Sequence, residues 1–284
     1  MNLAFDAAKG AFKARGDVKS SAAKQVRLSI VVGQGCDLGI AQQVKAGLRP
    51  KTESCRLYIA GLSQQGHAPA VHSMASAAIL LAGADAAGIA DIYRAYRERR
   101  VPCLVILGLD DASGRAAALV AREVHAEDVV VCDERTAQGV LADWLLLSLP
   151  DAELSLGTCL PCCQEAIARR IVGEAVRNNA MVGALTFLRG ADTPAMLACE
   201  VAMLFKLASA YGLPVNRDRV AEVACLVVYS LACKRAAGLA LRAPLPAAVV
   251  KGGVAACATW LAGAAAQRRM RDLSADSNDQ SQGA

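Results

Sequence analysis

Five short apolar runs, most of them followed by a helical pattern, constrain this chain more than any other feature. The runs fall at 28–32, 55–60, 78–82, 102–107 and 129–132. Apolar residues at helical spacing occupy 38–48, 88–100, 114–125 and 136–149. Strands separated by helices of this length do not meet as hairpins. They join through crossovers into a parallel sheet, which must be covered on both faces. The runs are almost entirely Val, Ile, Leu and Ala, as strands buried on both sides require. The fold expected over residues 28–150 is therefore an α/β parallel sheet.

The pattern stops at Pro150 and Asp151. Residues 151–163 read as a linker or helix approach containing Pro161, and from Gln164 onward the spacing is helical only. Helices are expected at 164–189, 193–211, 216–241 and 244–271, broken at Gly190, at Gly212-Leu213-Pro214 and between Pro244 and Pro246. Asn216 is an N-cap candidate, with acidic residues in the turns that follow. An all-α domain over 164–273 is the expectation. The first 27 residues, with Leu3, Phe5, Ala8 and Phe12 among lysines and arginines, form a basic arm or a short amphipathic helix. The small polar residues 274–284 read as a disordered tail.

Charge separates the parts. Residues 1–27 carry six basic and two acidic groups, 28–150 carry eleven and thirteen, and 164–273 carry fourteen and seven. The basic half is also the apolar half. That pairing suits a protein partner or an anionic membrane surface better than DNA, since no groove-reading motif is present. Aromatic residues are only 4% of the chain, too few for a base-stacking platform, so no nucleic acid is expected. The eleven cysteines show no disulfide framework, and the charged N-terminus has no apolar signal core; a reducing cytoplasm is expected.

The junction Leu28–Ile40 is where function is best sought. There a strand runs into a glycine-rich turn and then a helix, an arrangement that often holds phosphate. A Walker loop needs G-x-x-x-x-G-K-[ST], its lysine on the β and γ phosphates and its hydroxyl on Mg²⁺. Counted from Gly33, the Gly-Lys-Ser positions fall on Leu38, Gly39 and Ile40; shifted by one they fall on Gly39, Ile40 and Ala41. Neither frame supplies the charge or the hydroxyl. Gly33, Gly35 and Gly39 also make a variant dinucleotide fingerprint, but the second strand ends Tyr58-Ile59-Ala60-Gly61-Leu62-Ser63 without the ribose-binding acid. The simpler reading is that these glycines permit a tight strand-to-helix corner.

From this turn onward, residues 28–150 resemble a translation-factor-like GTPase domain of the Era type. Arg100-Val-Pro-Cys-Leu-Val-Ile-Leu-Gly-Leu-Asp110 stands where that family has a strand ending in N-K-x-D, with Asp110 on the aspartate and Leu107 and Gly108 in place of Asn and Lys. Val129 to Gly139 and the helix to Pro150 resemble the final strand, Ser-Ala loop and closing helix, with Cys132 and Asp133 at the Ser and Ala. The resemblance implies a P-loop NTPase-like topology, with Gly33, Gly35, Gly39 and Asp110 as nucleotide-binding candidates. It also implies a loss of chemistry. The short connection between the first helix and the second strand leaves no room for the switch threonine and its antiparallel strand. The family's D-x-x-G falls on Ala60–Ser63.

The second half resembles the YcjF-type domain of unknown function, which is often fused after bacterial GTPase domains and occurs in inner-membrane proteins. The matching stretches are Met203–Pro214, Asp218–Val223 and Lys251–Gly263. The resemblance implies membrane proximity or partner binding, and it carries no catalytic residues.

Other constellations add no chemistry. Cys159-Leu-Pro-Cys162 is a C-x-x-C without the second ligand pair that zinc takes, and it does not follow a strand as a redox C-x-x-C does. His67, His72 and His125 lack the i, i+4 pairing of a helical metal site, and no G-x-S-x-G elbow is present. The expectation is a protein with no catalytic residues, no metal and no cofactor. It acts in the cytoplasm or at the periphery of the inner membrane, beside a protein partner, a GTPase relative or a second copy of itself. The alternatives are an unorthodox binder of GTP or NAD(P), and an integral membrane protein with a helical hairpin.

Overall fold

The computed structural model of the chain describes residues 16, 18, 20–62, 71–83, 86–109, 115–185, 192–214 and 247–282. The order is β1 (Val26–Val32), α1 (Leu38–Gly47), β2 (Cys55–Gly61), β3 (Ala77–Leu81), α2 (Ala86–Glu98), β4 (Cys103–Gly108), α3 (Arg115–Glu123), β5 (Val129–Cys132), α4 (Ala137–Ser148), α5 (Glu153–Cys159), α6 (Pro161–Leu185), α7 (Asp192–Ala210) and α8 (Ala247–Gln282). Two compact units result, one over Ala23–Ala166 and one that joins the described residues before Ala23 to those from Ile167 onward; the division falls inside α6.

The first unit is built on a five-stranded sheet, order β2-β1-β3-β4-β5, with every pairing parallel. This is a doubly wound order whose direction switches between β1 and β3. Successive strand residues face opposite sides, and the pattern fills both. On one side Val31, Ala78, Leu80, Cys103, Val105 and Leu107 pack under Ile89, Ile92, Tyr93 and Tyr96 of α2 and Val120 of α3. On the other, Leu28, Ile30, Ile79, Leu104 and Ile106 are buried, as are Ile40 and Val44 of α1 and Leu141 and Leu145 of α4. Each fully buried Leu, Ile or Val contributes about 1.5–3 kcal/mol. Helices α1 and α4 are also joined by Gln138 Nε2 donating to Gln43 Oε1 at 2.8 Å. Two tyrosines tie polar groups into the opposite side. The Tyr96 hydroxyl donates to Ser29 Oγ at 2.7 Å, and that of Tyr93 to Asp128 at 2.6 Å. Burial, and then the bond to Asp128, push the Tyr93 phenol up to about 12.

The strands and helices expected over 28–150 are present within two residues at each end. Residues 151–163 are more structured than a linker: a 3-10 turn at Pro150–Ala152 leads into α5, and Pro161 opens α6. Proline suits that first helical position because its missing N–H has no intrahelical partner there.

In the second unit α6 and α8 run antiparallel in close contact, since Val172 meets Gly263 while Ala180 and Ala184 meet Gly252. A Cβ on Gly252 would lie 3.1 Å from the Ala180 carbonyl oxygen. Helix α7 joins them through a buried polar trio. Asn179 Nδ2 donates to Thr259 Oγ1 at 2.8 Å and to Glu200 Oε1 at 3.4 Å, and all three residues are at most 1% exposed. Helix α8 continues to Gln282. The stretch from Ser274 is therefore helical through that residue and not irregular, because it extends a helix already anchored in packing. The expected helix 216–241, with Asn216 and the stretch Asp218–Val223, lies outside the described residues.

Candidate functional site

The turn after β1 meets the carboxyl end of β3 at the point where ligands of doubly wound sheets usually bind. Gly33 N–H donates to the Leu81 carbonyl at 2.8 Å, which fastens the turn to β3. On the other flank Leu62 N–H donates to the Val32 carbonyl at 3.0 Å, and Gln34 Nε2 reaches the Leu62 carbonyl at 3.4 Å. Cys36 N–H closes back on the Gly33 carbonyl at 3.4 Å, with Gly35 at φ 68° as the third residue of the turn. Only a residue without Cβ adopts that angle without strain.

Gly83, just past β3, fills the crevice. A Cβ there would lie 2.5 Å from the Gln34 carbonyl oxygen and 2.5 Å from the Gly35 carbonyl carbon, and against the Cys36 amide nitrogen. The backbone of one loop thus rests on the backbone of the other.

The N-terminus of α1 is occupied as well. Asp37 is the N-cap, and its Oδ1 accepts from Gly39 N at 2.7 Å and Ile40 N at 3.1 Å. These are the amides that a bound phosphate would use. Glu134, from the loop before α4, lies across the same turn. A Cβ on Gly39 would come within 2.8 Å of its carboxyl carbon. The magnitudes favour exclusion. A helix N-terminus attracts an anion by about 0.3–1 kcal/mol at an exposed site. Two like unit charges 4 Å apart repel by about 1 kcal/mol in water and about 4 kcal/mol near a protein surface, so carboxylates at Asp37 and Glu134 offset that attraction.

Of the four residues expected to bind nucleotide, Gly33, Gly35 and Gly39 come together at this turn, each with a structural task. Asp110 lies outside the described residues. Leu107 and Gly108 end β4 within the sheet, so neither offers the amide or cation of a base-reading strand. Sequence reasoning missed three residues here. Asp37 was findable, as an aspartate directly before a helical pattern. Gly83 carried a weaker signal, a glycine at a strand end. Glu134 carried none.

Beside α1 lies a shallow hollow of about 180 Å³, lined by Ile30, Val32, Leu38, Lys45, Ile59 and Leu81 among others. It is below the roughly 300–1,000 Å³ of small-molecule sites and holds few polar groups.

At the opposite end of the sheet, Cys55 at the start of β2 lies near Cys159 and Cys162, and burial with those two thiols pushes Cys55 up to about 12. Cys162 and Cys163 have sulfurs 3.8 Å apart, a contact that together with burial raises the Cys163 thiol. The pair Cys159 and Cys162 sits at a helix-to-helix junction, after α5 and not after a strand. Thiols held protonated are poor nucleophiles, so Cys55 and Cys163 act as packing groups. Among the described residues no cluster of three or more His, Cys, Asp or Glu is arranged to hold a metal ion. His72 is stacked on Tyr58 at 3.6 Å between ring centres. His67 lies outside the described residues.

No protein-family model matches the chain, and no curated protein matches it.

Proposed function

We propose that the chain is a GTPase-like protein without GTPase chemistry, serving as a noncatalytic adaptor or scaffold at or near a membrane. The observation that carries this reading is the α1 N-terminus, where Asp37 takes the Gly39 and Ile40 amides that a phosphate would need. Glu134 and the Gly83 backbone support it by taking the remaining space. The strand order fits a GTPase-like sheet that has lost its antiparallel switch strand, because the five strands left would be parallel. Phosphoryl transfer relies on positioned charge. Here the lysine, the hydroxyl and the switch threonine are replaced by apolar residues or missing, and the charges present have the wrong sign.

Such a protein works through its surfaces. Its partner is a protein or an anionic membrane, engaged by the basic helical half, and it acts from the cytoplasmic side. The test is a thermal-shift series with GTP, GDP, ATP and NAD(P)H at millimolar concentration, since any ligand that binds only the folded state raises its stability. No shift is expected. A shift, joined by GTP hydrolysis that falls in Asp110→Ala, would replace this reading with an unorthodox nucleotide enzyme.

A further inference from the structure

Helix α8 has two unlike long faces. The inner one is made of small residues. Gly252, Ala255, Ala258, Thr259, Ala262, Gly263 and Ala266 are all buried, with Gly252, Ala255 and Gly263 against α6. The outer one is large and apolar: Val249 is 65% exposed, Trp260 57% and Leu261 50%, with Gly253 and Cys257 also exposed. At about 100° per residue, Val249, Gly253, Cys257, Trp260 and Ala264 share one side of the helix. Arg268 and Arg271 lie on that same side, both exposed, roughly 10–15 Å further along. The exposed Asp272 is at its margin, and the exposed Lys251 and Arg269 lie away from it, beside the packed face.

We infer that this outer face of α8 is the surface by which the protein rests on an anionic phospholipid bilayer, with Trp260 and Leu261 in the acyl boundary and Arg268 and Arg271 among the headgroups. The inference rests on the membrane part of the proposed function and assigns it a face. An apolar stripe that ends in arginines fits a helix resting obliquely on a bilayer surface, its apolar part in the acyl boundary and its arginine end among the anionic headgroups. The segment Val249–Ala275 is long and apolar enough to cross a membrane by length and composition. Its inner contacts decide for lying on the surface. Crossing would separate α8 from α6, whose Arg169, Arg170, Glu174 and Arg177 do not belong in hydrocarbon, and would open the Asn179–Glu200–Thr259 trio.

The experiment uses the full chain carrying Trp144→Phe, so that Trp260 alone reports, with phosphatidylcholine vesicles containing about one third phosphatidylglycerol. Trp260 emission should shift to the blue and be quenched by brominated lipid. Leu261→Glu, at an exposed position that leaves the fold intact by circular dichroism, should weaken vesicle binding about tenfold or more. The double change Arg268→Glu, Arg271→Glu should do the same for anionic vesicles only. Binding that survives Leu261→Glu overturns this face while leaving the adaptor reading in place. An absence of vesicle binding, with Leu261→Glu converting a dimer to a monomer, assigns the face to a second copy. Protein that stays in membranes through a carbonate wash overturns lying on the surface in favour of insertion. The nucleotide series is independent of all these outcomes.

Discussion

The turn after β1 and the outer face of α8 are opposites. At the turn, a place suited to a ligand is filled from within: by Asp37 on the helix amides, by Glu134 across Gly39 and by Gly83 in the crevice. On α8, a surface that a folded chain would ordinarily cover is left open, with Val249, Trp260 and Leu261 outward. The difference teaches where to look for function. A site whose own side chains meet its hydrogen-bonding needs has nothing left to offer a ligand. An apolar face beside cations still has a contact to make.

The contrast can be broken most forcefully at Gly83. Placing a valine there should cost about 3 kcal/mol or more in urea unfolding, because what its Cβ meets is backbone and cannot rotate away. A small loss would mean that the crevice is open space after all. Next comes the interior of the helical unit. Thr259→Val removes the closest partner of the Asn179 amide and should cost about 2 kcal/mol; a neutral result would make the trio incidental. Asp37→Ala should cost about 1 kcal/mol, and Asp37→Ser only a few tenths, since serine also caps. If Asp37→Ala were neutral, Asp37 would not be holding the amides.

The Tyr93 phenol supplies a test by pH. Its pKa is raised from 10.0 to about 12 in the folded state. The stability tied to it is therefore complete below pH 10 and is lost as pH rises toward 12. In Tyr93→Phe the alkaline decline measured over that window should be shallower than in the parent. The smallest effect is expected on α8. Gly253→Ala meets nothing within 4 Å and should raise stability by about 0.5–1 kcal/mol through helix propensity alone. Gly83 and Gly253 then give opposite signs for glycine substitutions, one in a filled place and one on an open face.

The sheet was legible because strand periodicity and core burial are the same fact: residues such as Ile79, Leu80 and Val105 are apolar on both faces because both faces are covered. Helix starts and ends over 28–150 were legible from proline, glycine and helical spacing. Helix α5 was not. Its seven residues include Gly157 and Thr158, both weak helix formers, and tertiary packing of Leu156 and Cys159 overrides that propensity. The site was half legible. The absence of lysine and hydroxyl showed in the sequence, but the groups that fill the turn did not. Glu134 lies 95 positions from Gly39, and Gly83 lies 47 from Cys36. Local pattern carries no information about such approaches. The continuation of α8 through Gln282 was missed for a related reason, since polar composition was read without the helix that precedes it.

The Gly83 closure has a consequence in time. A nucleotide switch alternates between states because its loops need the ligand to become ordered. This turn is hydrogen-bonded to β3 and packed against Gly83 through the protein's own backbone. Under the adaptor reading the protein has no internal clock. The lifetime of anything assembled on it is set by the partner's own dissociation and by how much of the chain the cell makes.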